Sequence, residues 1–389
     1  MGFLNFIACK CLPIFIACLA IFIGVFVRWL FSHECPECVL FKTVIPVVSK
    51  GQLPETLFGP FNPPHTPVVP DDMKPEDRPS NEMFLTLPDG DQMPANGLGM
   101  CCRASAYDGE TVYRSVLHYL LMGGRHIDTA HMYLNHEACG RAINEAISRG
   151  IPRAEIFVTT KIPNSFFGFD SAKKLVPRYL KELGLDYIDL LLLHHPKPPF
   201  PPVTKTAPEC VQNNFTDSEC RIDTWTSLSK NAYDTKLVKN LGVSNFNKGQ
   251  MQELQSLGLA PIAANQFQYN PFAPSWRHDV FDFCQKNNIA VTAWASLAGT
   301  MMETSKILNV DVLKGIAEKY NKRVASILLR WPLQLGASVI PGSGNPKHMR
   351  ENLGVYDFEL SEEDMNTLNA IRDSPRANDF SFEPELADD

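Results

Sequence analysis

Residues 123–133 read GGRHIDTAHMY, residues 156–161 read IFVTTK, and residues 188–194 read IDLLLLH. Each contains a short apolar run that closes on a group able to hold or move a proton. These groups are Asp128, with Tyr133 five residues further on, then Lys161, then His194. Helical patterns at 136–148 and 171–183 separate the three runs. Strands that alternate with helices lie parallel, and a parallel (β/α) barrel brings all its strand C-termini to one mouth. A carboxylate, a phenol, an ammonium and an imidazole, each at or just past a strand end, are therefore expected to share that mouth.

The same alternation extends in both directions. Further strands are expected at Gly97–Met100, Asn240–Ser244, Ala263–Phe267, Ala290–Ala295 and Ala337–Pro341. Helices are expected at 110–122, 222–238, 247–257, 277–288 and 309–334, the last interrupted at Pro332, and then at 346–353 and 361–372. Ser361 opens S-E-E-D, an N-cap followed by first-turn carboxylates. Ahead of the first strand, MFLTLPDGDQMP has strand character on both sides of the turn Pro88-Asp89-Gly90, which predicts a hairpin. Eight strands alternating with helices predict an α/β fold, a (β/α)8 TIM barrel over residues 83–375 with an N-terminal β-hairpin. The first strand is followed by no G-x-G-x-x-G, which counts against a doubly wound dinucleotide domain.

The remainder of the 389 residues is unlike the barrel. Residues 11–27, CLPIFIACLAIFIGVFV, carry no charge and are bracketed by Lys10 and Arg28. As a helix this run is roughly 26 Å long, just enough to cross a bilayer. Residues 1–32 are thus expected to form a membrane anchor, a single transmembrane helix, with a cleaved signal peptide as the alternative. No A-x-A-like cleavage site follows the run. Residues 33–82 are expected to be a Pro-rich linker, with ordered structure restarting near Met83, and 376–389 an acidic tail. The positive-inside rule leans only slightly towards a cytoplasmic catalytic domain. Against that lean, Asn214-Phe215-Thr216 is a glycosylation sequon flanked by Cys210 and Cys220, which suits a lumenal loop with a disulfide.

Hydrophobic content of 44% and charge of 20% are ordinary for a globular chain. A net charge of −7 with no long basic run argues against nucleic acid as a partner. Cys35 and Cys38 form one C-x-x-C with no second pair at finger spacing, so no metal site is expected.

Chemically, the four strand-end groups suit proton delivery to a carbonyl oxygen. A phenol has an ordinary pKa of about 10, and a neighbouring ammonium favours its ionised form. A carboxylate can hold that ammonium, and an imidazole can orient the substrate oxygen. Together they make a general acid.

At these residues the chain resembles the aldo-keto reductase family. The likeness runs from about Met83 to Ile371 through GRHIDTAHMY, TTK, LLLHHP, GVSNFN, AANQFQYNP and the VIPGS…REN stretch, in the family's order. The resemblance implies a barrel that transfers hydride from NADPH, or NADH, to a small-molecule aldehyde or ketone. It assigns Tyr133 as general acid, Asp128 and Lys161 as its tuning pair, and His194 as the substrate-orienting group. It further implies that Ser244, Asn245 and Gln266 hold the nicotinamide carboxamide and that Trp294 stacks on its ring. Ser343, Glu351 and Asn352 are implied phosphate and adenine contacts. Cys101 and His195 stand in the substrate pocket where relatives often have aromatics, which implies a wider and less apolar pocket.

Gly342 and His348 replace basic residues that many members use on the adenosine phosphate. Lys347 and Arg350 are expected to compensate. The segment after Trp294 is short for a flap over the pyrophosphate, and the insert 197–221 is a candidate lid. The alternative reading is a largely non-catalytic, cofactor-sensing subunit of a membrane assembly.

Overall fold

The structure, a computed structural model, describes residues 67–101, 108–198, 207–297 and 304–374, with Arg376 and Asp379. The anchor expected at 1–32, the linker up to 66 and most of the acidic tail lie outside these residues. Among the described residues no helix is long and apolar enough to cross a membrane.

The hairpin forms where the sequence places it. Strand β1 (Phe84–Thr86) pairs antiparallel with β2 (Gln92–Pro94) across a turn in which Gly90 adopts φ 89°. Eight parallel strands follow: β3 (Leu98–Gly99), β4 (His126–Asp128), β5 (Phe157–Ile162), β6 (Ile188–Leu193), β7 (Val238–Ser244), β8 (Ile262–Gln268), β9 (Ala290–Trp294) and β10 (Ser338–Val339). They pair in sequence order from β3 to β10. A parallel bridge between Asn96 and Val339 joins the two ends. The Val339 N–H donates to the Ala95 carbonyl at 2.7 Å, and the Gly97 N–H donates to the Val339 carbonyl at 2.8 Å. The curled sheet thus closes into a barrel.

Period-two alternation sorts each strand's side chains. In β5, Phe157, Thr159 and Lys161 share one face. In β6, Leu190 and Leu192 share it, and His194 continues the parity. Phe157, Leu190 and Leu192 pack with Ala264 of β8 and with Leu87 and Met93 of the hairpin in one small apolar cluster. The hairpin thereby plugs the N-terminal end of the barrel. The opposite parity, including Val158, Leu191 and Leu193, belongs to the large cluster shared with the surrounding helices.

Those helices are α1 (Gly109–Leu121), α2 (His136–Ser148), α3 (Phe169–Leu183), α4 (Asp217–Leu228), α5 (Lys248–Gln255) and α6 (Ser275–Lys286). After them come α7 (Asp311–Lys319), α8 (Val324–Gln334), α9 (Pro346–Leu353) and α10 (Glu362–Asn369). Ser361 caps α10 as expected, accepting from the Asp364 N–H. Helix α4 begins at Asp217 rather than at 222, because Thr216 and Glu219 form a reciprocal capping box. The stretch 309–334 does divide in two, but not at Pro332, which lies inside α8. The break is at Asn321, whose left-handed φ of 51° lets the Lys322 N–H return to the Ala317 carbonyl.

Order also begins before Met83. The Glu76 N–H donates to the Leu121 carbonyl, and Arg78 pairs with Glu82 and reaches the Glu155 carbonyl. Residues 67–82 therefore lie against the helix ring instead of forming a free tether.

At the closing seam a Cβ added to Gly99 would sit 2.4 Å from the Ile340 carbonyl oxygen. Gly99→Ala should therefore destabilise the protein by about 1–3 kcal/mol, the usual cost of overpacking. Gly315→Ala, in α7 with nothing within 4 Å of the new methyl, should instead stabilise by about 0.5–1 kcal/mol. Urea denaturation of both variants checks the pair of outcomes.

Candidate active site

Asp128 is the last residue of β4, Lys161 is the fifth of β5, and His194 follows β6 directly. Tyr133 sits in a single 3-10 turn, His131–Tyr133, in the loop after β4. The structure brings all four together. Lys161 Nζ lies 2.6 Å from Asp128 Oδ1, 3.0 Å from the Thr129 carbonyl oxygen and 3.3 Å from the Tyr133 hydroxyl. An ammonium has three protons to donate, so these contacts use its whole capacity. Asp128 Oδ2 accepts from Gln266 Nε2 at 2.7 Å. The His194 ring meets the Tyr133 ring edge-on with centroids 5.8 Å apart.

The lysine side chain is fully buried and the Asp128 side chain nearly so. Burial pushes the His194 imidazole well below the usual histidine pKa, and the nearby His195 and Lys161 push it in the same direction. His194 is therefore neutral at pH 7, with one ring N–H to donate.

Two residues that sequence reasoning missed hold the Tyr133 loop. Thr129 Oγ1 donates to Asn135 Oδ1 at 2.6 Å, and Asn135 Nδ2 donates to the Met100 carbonyl at 3.0 Å. The only available signal was a polar Asn two residues beyond the tyrosine. Thr159 was missed as well. It hydrogen-bonds the barrel-interior His126, one layer below Asp128.

The expected nicotinamide contacts lie at the ends of β7, β8 and β9, around the same mouth. Ser244 ends β7, and its hydroxyl donates to the Gln266 carbonyl. Asn245 adopts a left-handed φ of 63°. Its carboxamide accepts from Trp294 Nε1 at 3.0 Å and donates to the His194 carbonyl at 3.1 Å. These groups can exchange partners with a planar amide, and the half-buried Trp294 indole offers a flat face. Ser343 lies beyond β10, where its hydroxyl accepts from the Asn345 N–H just ahead of α9. The donor set fits a nicotinamide dinucleotide.

At the adenosine end the expected contacts already have partners within the protein. Both terminal nitrogens of Arg350 pair with the Glu76 carboxylate at the surface. Glu351 is ion-paired with Arg323. The Asn352 carbonyl accepts from Asn96 Nδ2. Lys347 remains the exposed cation at the start of α9.

Beside the cluster His195 stacks on His194, ring centroids 5.0 Å apart. Cys101, half-buried just past β3, is not a free thiol. The flap segment from 298 to 303 and residues 199–206 of the insert lie outside the described residues.

A family model for the aldo/keto reductase family matches residues 97–373. The chain belongs to the aldo/keto reductase family. This reductase is 36% identical over 297 residues to a 9,11-endoperoxide prostaglandin H2 reductase from Trypanosoma cruzi, covering 76% of this chain and 94% of that one. It is 33% identical over 292 residues to a glyoxal reductase from Bacillus subtilis, covering 75% and 94%. Against an NADPH-dependent D-xylose reductase from Meyerozyma guilliermondii the identity is 32% over 305 residues, covering 74% and 94%. A crystal structure of an aldo/keto reductase from Brucella melitensis superposes with a TM-score of 0.62 at 34% identity, covering 75% of this chain and 99% of that one. The reductase is accordingly an oxidoreductase of carbonyl compounds.

His131, packed against Phe166 and Tyr179, is pushed down to about 4, chiefly by burial. The unfolded imidazole takes up a proton near 6.5, whereas the folded one resists until about 4. Stability from this group is thus complete above about pH 6.5 and is lost as pH falls towards 4. His131→Phe should reduce the loss of unfolding free energy between pH 7 and pH 5 by up to about 2 kcal/mol, measured by urea denaturation at both values.

Proposed function

We propose that this aldo/keto reductase reduces a small, polar aldehyde or ketone to the alcohol, with NADPH as cofactor and Tyr133 as general acid. The observation that carries the reading is the complete use of the Lys161 ammonium. It is spent on Asp128, Thr129 and Tyr133. A tyrosine oxygen that accepts from lysine directs its own hydrogen away from that lysine.

The bound nicotinamide would supply hydride to the carbonyl carbon. His194, neutral, donates a hydrogen bond to the carbonyl oxygen and fixes its direction. Tyr133 gives its proton to that oxygen as negative charge builds. Lys161 stabilises the phenolate left behind, and Asp128 holds Lys161 in place. Ser244, Asn245 and Gln266 orient the carboxamide, Trp294 covers the ring, and Ser343, Lys347, Glu351 and Asn352 lie towards the adenosine end. His195 in the pocket favours polar carbonyls over bulky apolar ones. Relatives named for glyoxal and D-xylose accord with that substrate class. The charge-free run at 11–27 supports a membrane tether for the reductase.

Tyr133→Phe should lower kcat about 10²–10⁴-fold, the usual contribution of a positioned general acid, while NADPH titrates with unchanged affinity by fluorescence. Steady-state turnover of glyoxal and D-xylose measures the first quantity, and equal turnover in the variant would remove Tyr133 from its role. Gly342→Lys should raise the NADPH-to-NADH ratio of kcat/KM by about fivefold, the worth of one partly exposed charge contact.

A further inference from the structure

We infer that Asn214 is an N-glycosylation site and that the barrel faces an oxidising compartment. Asn214-Phe215-Thr216 is the only N-x-S/T sequon in the 389 residues. A lone sequon means little, but this one lies inside a disulfide-closed loop. Cys210 and Cys220 are bonded, with Cα atoms 5.2 Å apart and a sequence separation of 10. Both are completely buried. In a reducing compartment such a pair would be held as thiols.

The loop they close is built onto the barrel. The Cys210 N–H donates to the Phe167 carbonyl, and the Glu209 carboxylate accepts from the Asp170 and Ser171 N–H groups at the start of α3. The Phe215 N–H returns to the Cys210 carbonyl. From this anchored base residues 211–217 are exposed, with Asn214 in the left-handed region at φ 60°. Asn tolerates that conformation better than most residues. A sugar on its carboxamide would project into solvent without displacing a buried contact. Thr216, the third sequon residue, also caps α4 through its hydroxyl.

In the modification, the Asn214 carboxamide nitrogen attacks the anomeric carbon of a lipid-diphosphate-linked oligosaccharide. A C–N bond forms, the C–O bond to the diphosphate breaks, and one amide proton is lost. The disulfide arises separately, when two thiols pass two electrons and two protons to a disulfide-bearing thiol oxidant.

The test uses the full chain, expressed in eukaryotic cells that glycosylate asparagine. Treatment with an amide-cleaving glycosidase should shift its gel mobility by one step and convert Asn214 to aspartate by mass. The shift should be absent in Asn214→Gln and Thr216→Asp and retained in Thr216→Ser. Aspartate is as good an N-cap as threonine, so loss in Thr216→Asp reports the sequon and not a failure of α4. Peptide mapping after acid quench should recover Cys210 and Cys220 linked. An unmodified Asn214 in chain that is folded by circular dichroism overturns the inference, whatever the state of the cysteines. Neither readout depends on turnover, so the result is separate from the catalytic reading.

Discussion

A fully buried ammonium against a nearly fully buried carboxylate is the constraint around which the barrel mouth is arranged. Removing either charge from water costs several kcal/mol, and their attraction repays this only when the remaining hydrogen-bonding capacity is also met. Here it is met. Lys161 spends its protons on Asp128, Thr129 and Tyr133, and the second Asp128 oxygen accepts from Gln266. The pair therefore ties β4 to β5 and, across the interior, to β8. Truncating one partner would leave a buried charge at a cost of about 3–5 kcal/mol. The contacts around the Tyr133 hydroxyl are thus ones the fold cannot easily lose.

Beneath this layer the interior is closely packed, and above it the rim is irregular. His126 bridges the Pro94 carbonyl and Thr159, and Phe157, Leu190 and Leu192 rest on the hairpin's Leu87 and Met93. In the segments that follow β4, β7 and β9 the backbone turns sharply. Leu134, Asn245 and Ala295 all adopt left-handed conformations without being glycine. Such residues cost free energy and tend to persist where a site's geometry requires them. Asn245 uses its bend to link the His194 backbone to the Trp294 indole, so these two residues of the mouth are spaced by one amide.

Strand order, the hairpin and the four-residue cluster were legible because each rests on local pattern. Period two sets which side chains of β5 and β6 face inward, and Asp-Gly marks the turn. The seam strands β3 and β10 are only two residues long, shorter than their apolar runs suggest, and closure runs through the Asn96–Val339 bridge and the Gly99 N–H to the Pro341 carbonyl. The start of α4 was legible in Thr216-x-x-Glu219 and was passed over for the apolar periodicity that begins later. Pro332 misled because α8 carries it in its last turn and ends two residues later, at Gln334. Asn321, an ordinary polar residue in sequence, makes the break instead. Arg350's engagement could not be read at all, since its partner Glu76 is 274 residues away and belongs to a stretch that reads as linker.

That stretch alters where the folded unit starts. Arg125, almost wholly enclosed, donates to the Glu76 carbonyl as well as to those of Leu120 and Gly124. Arg149 reaches the carbonyls of Pro70 and Met73, and Arg350 grips the Glu76 side chain. Residues 67–82 act as a belt buckled by three arginines. Trimming the polypeptide back to its first strand would undo every buckle at once, leaving one guanidinium short of an acceptor in the interior, Arg149 with only its Glu145 pair and Arg350 without its carboxylate.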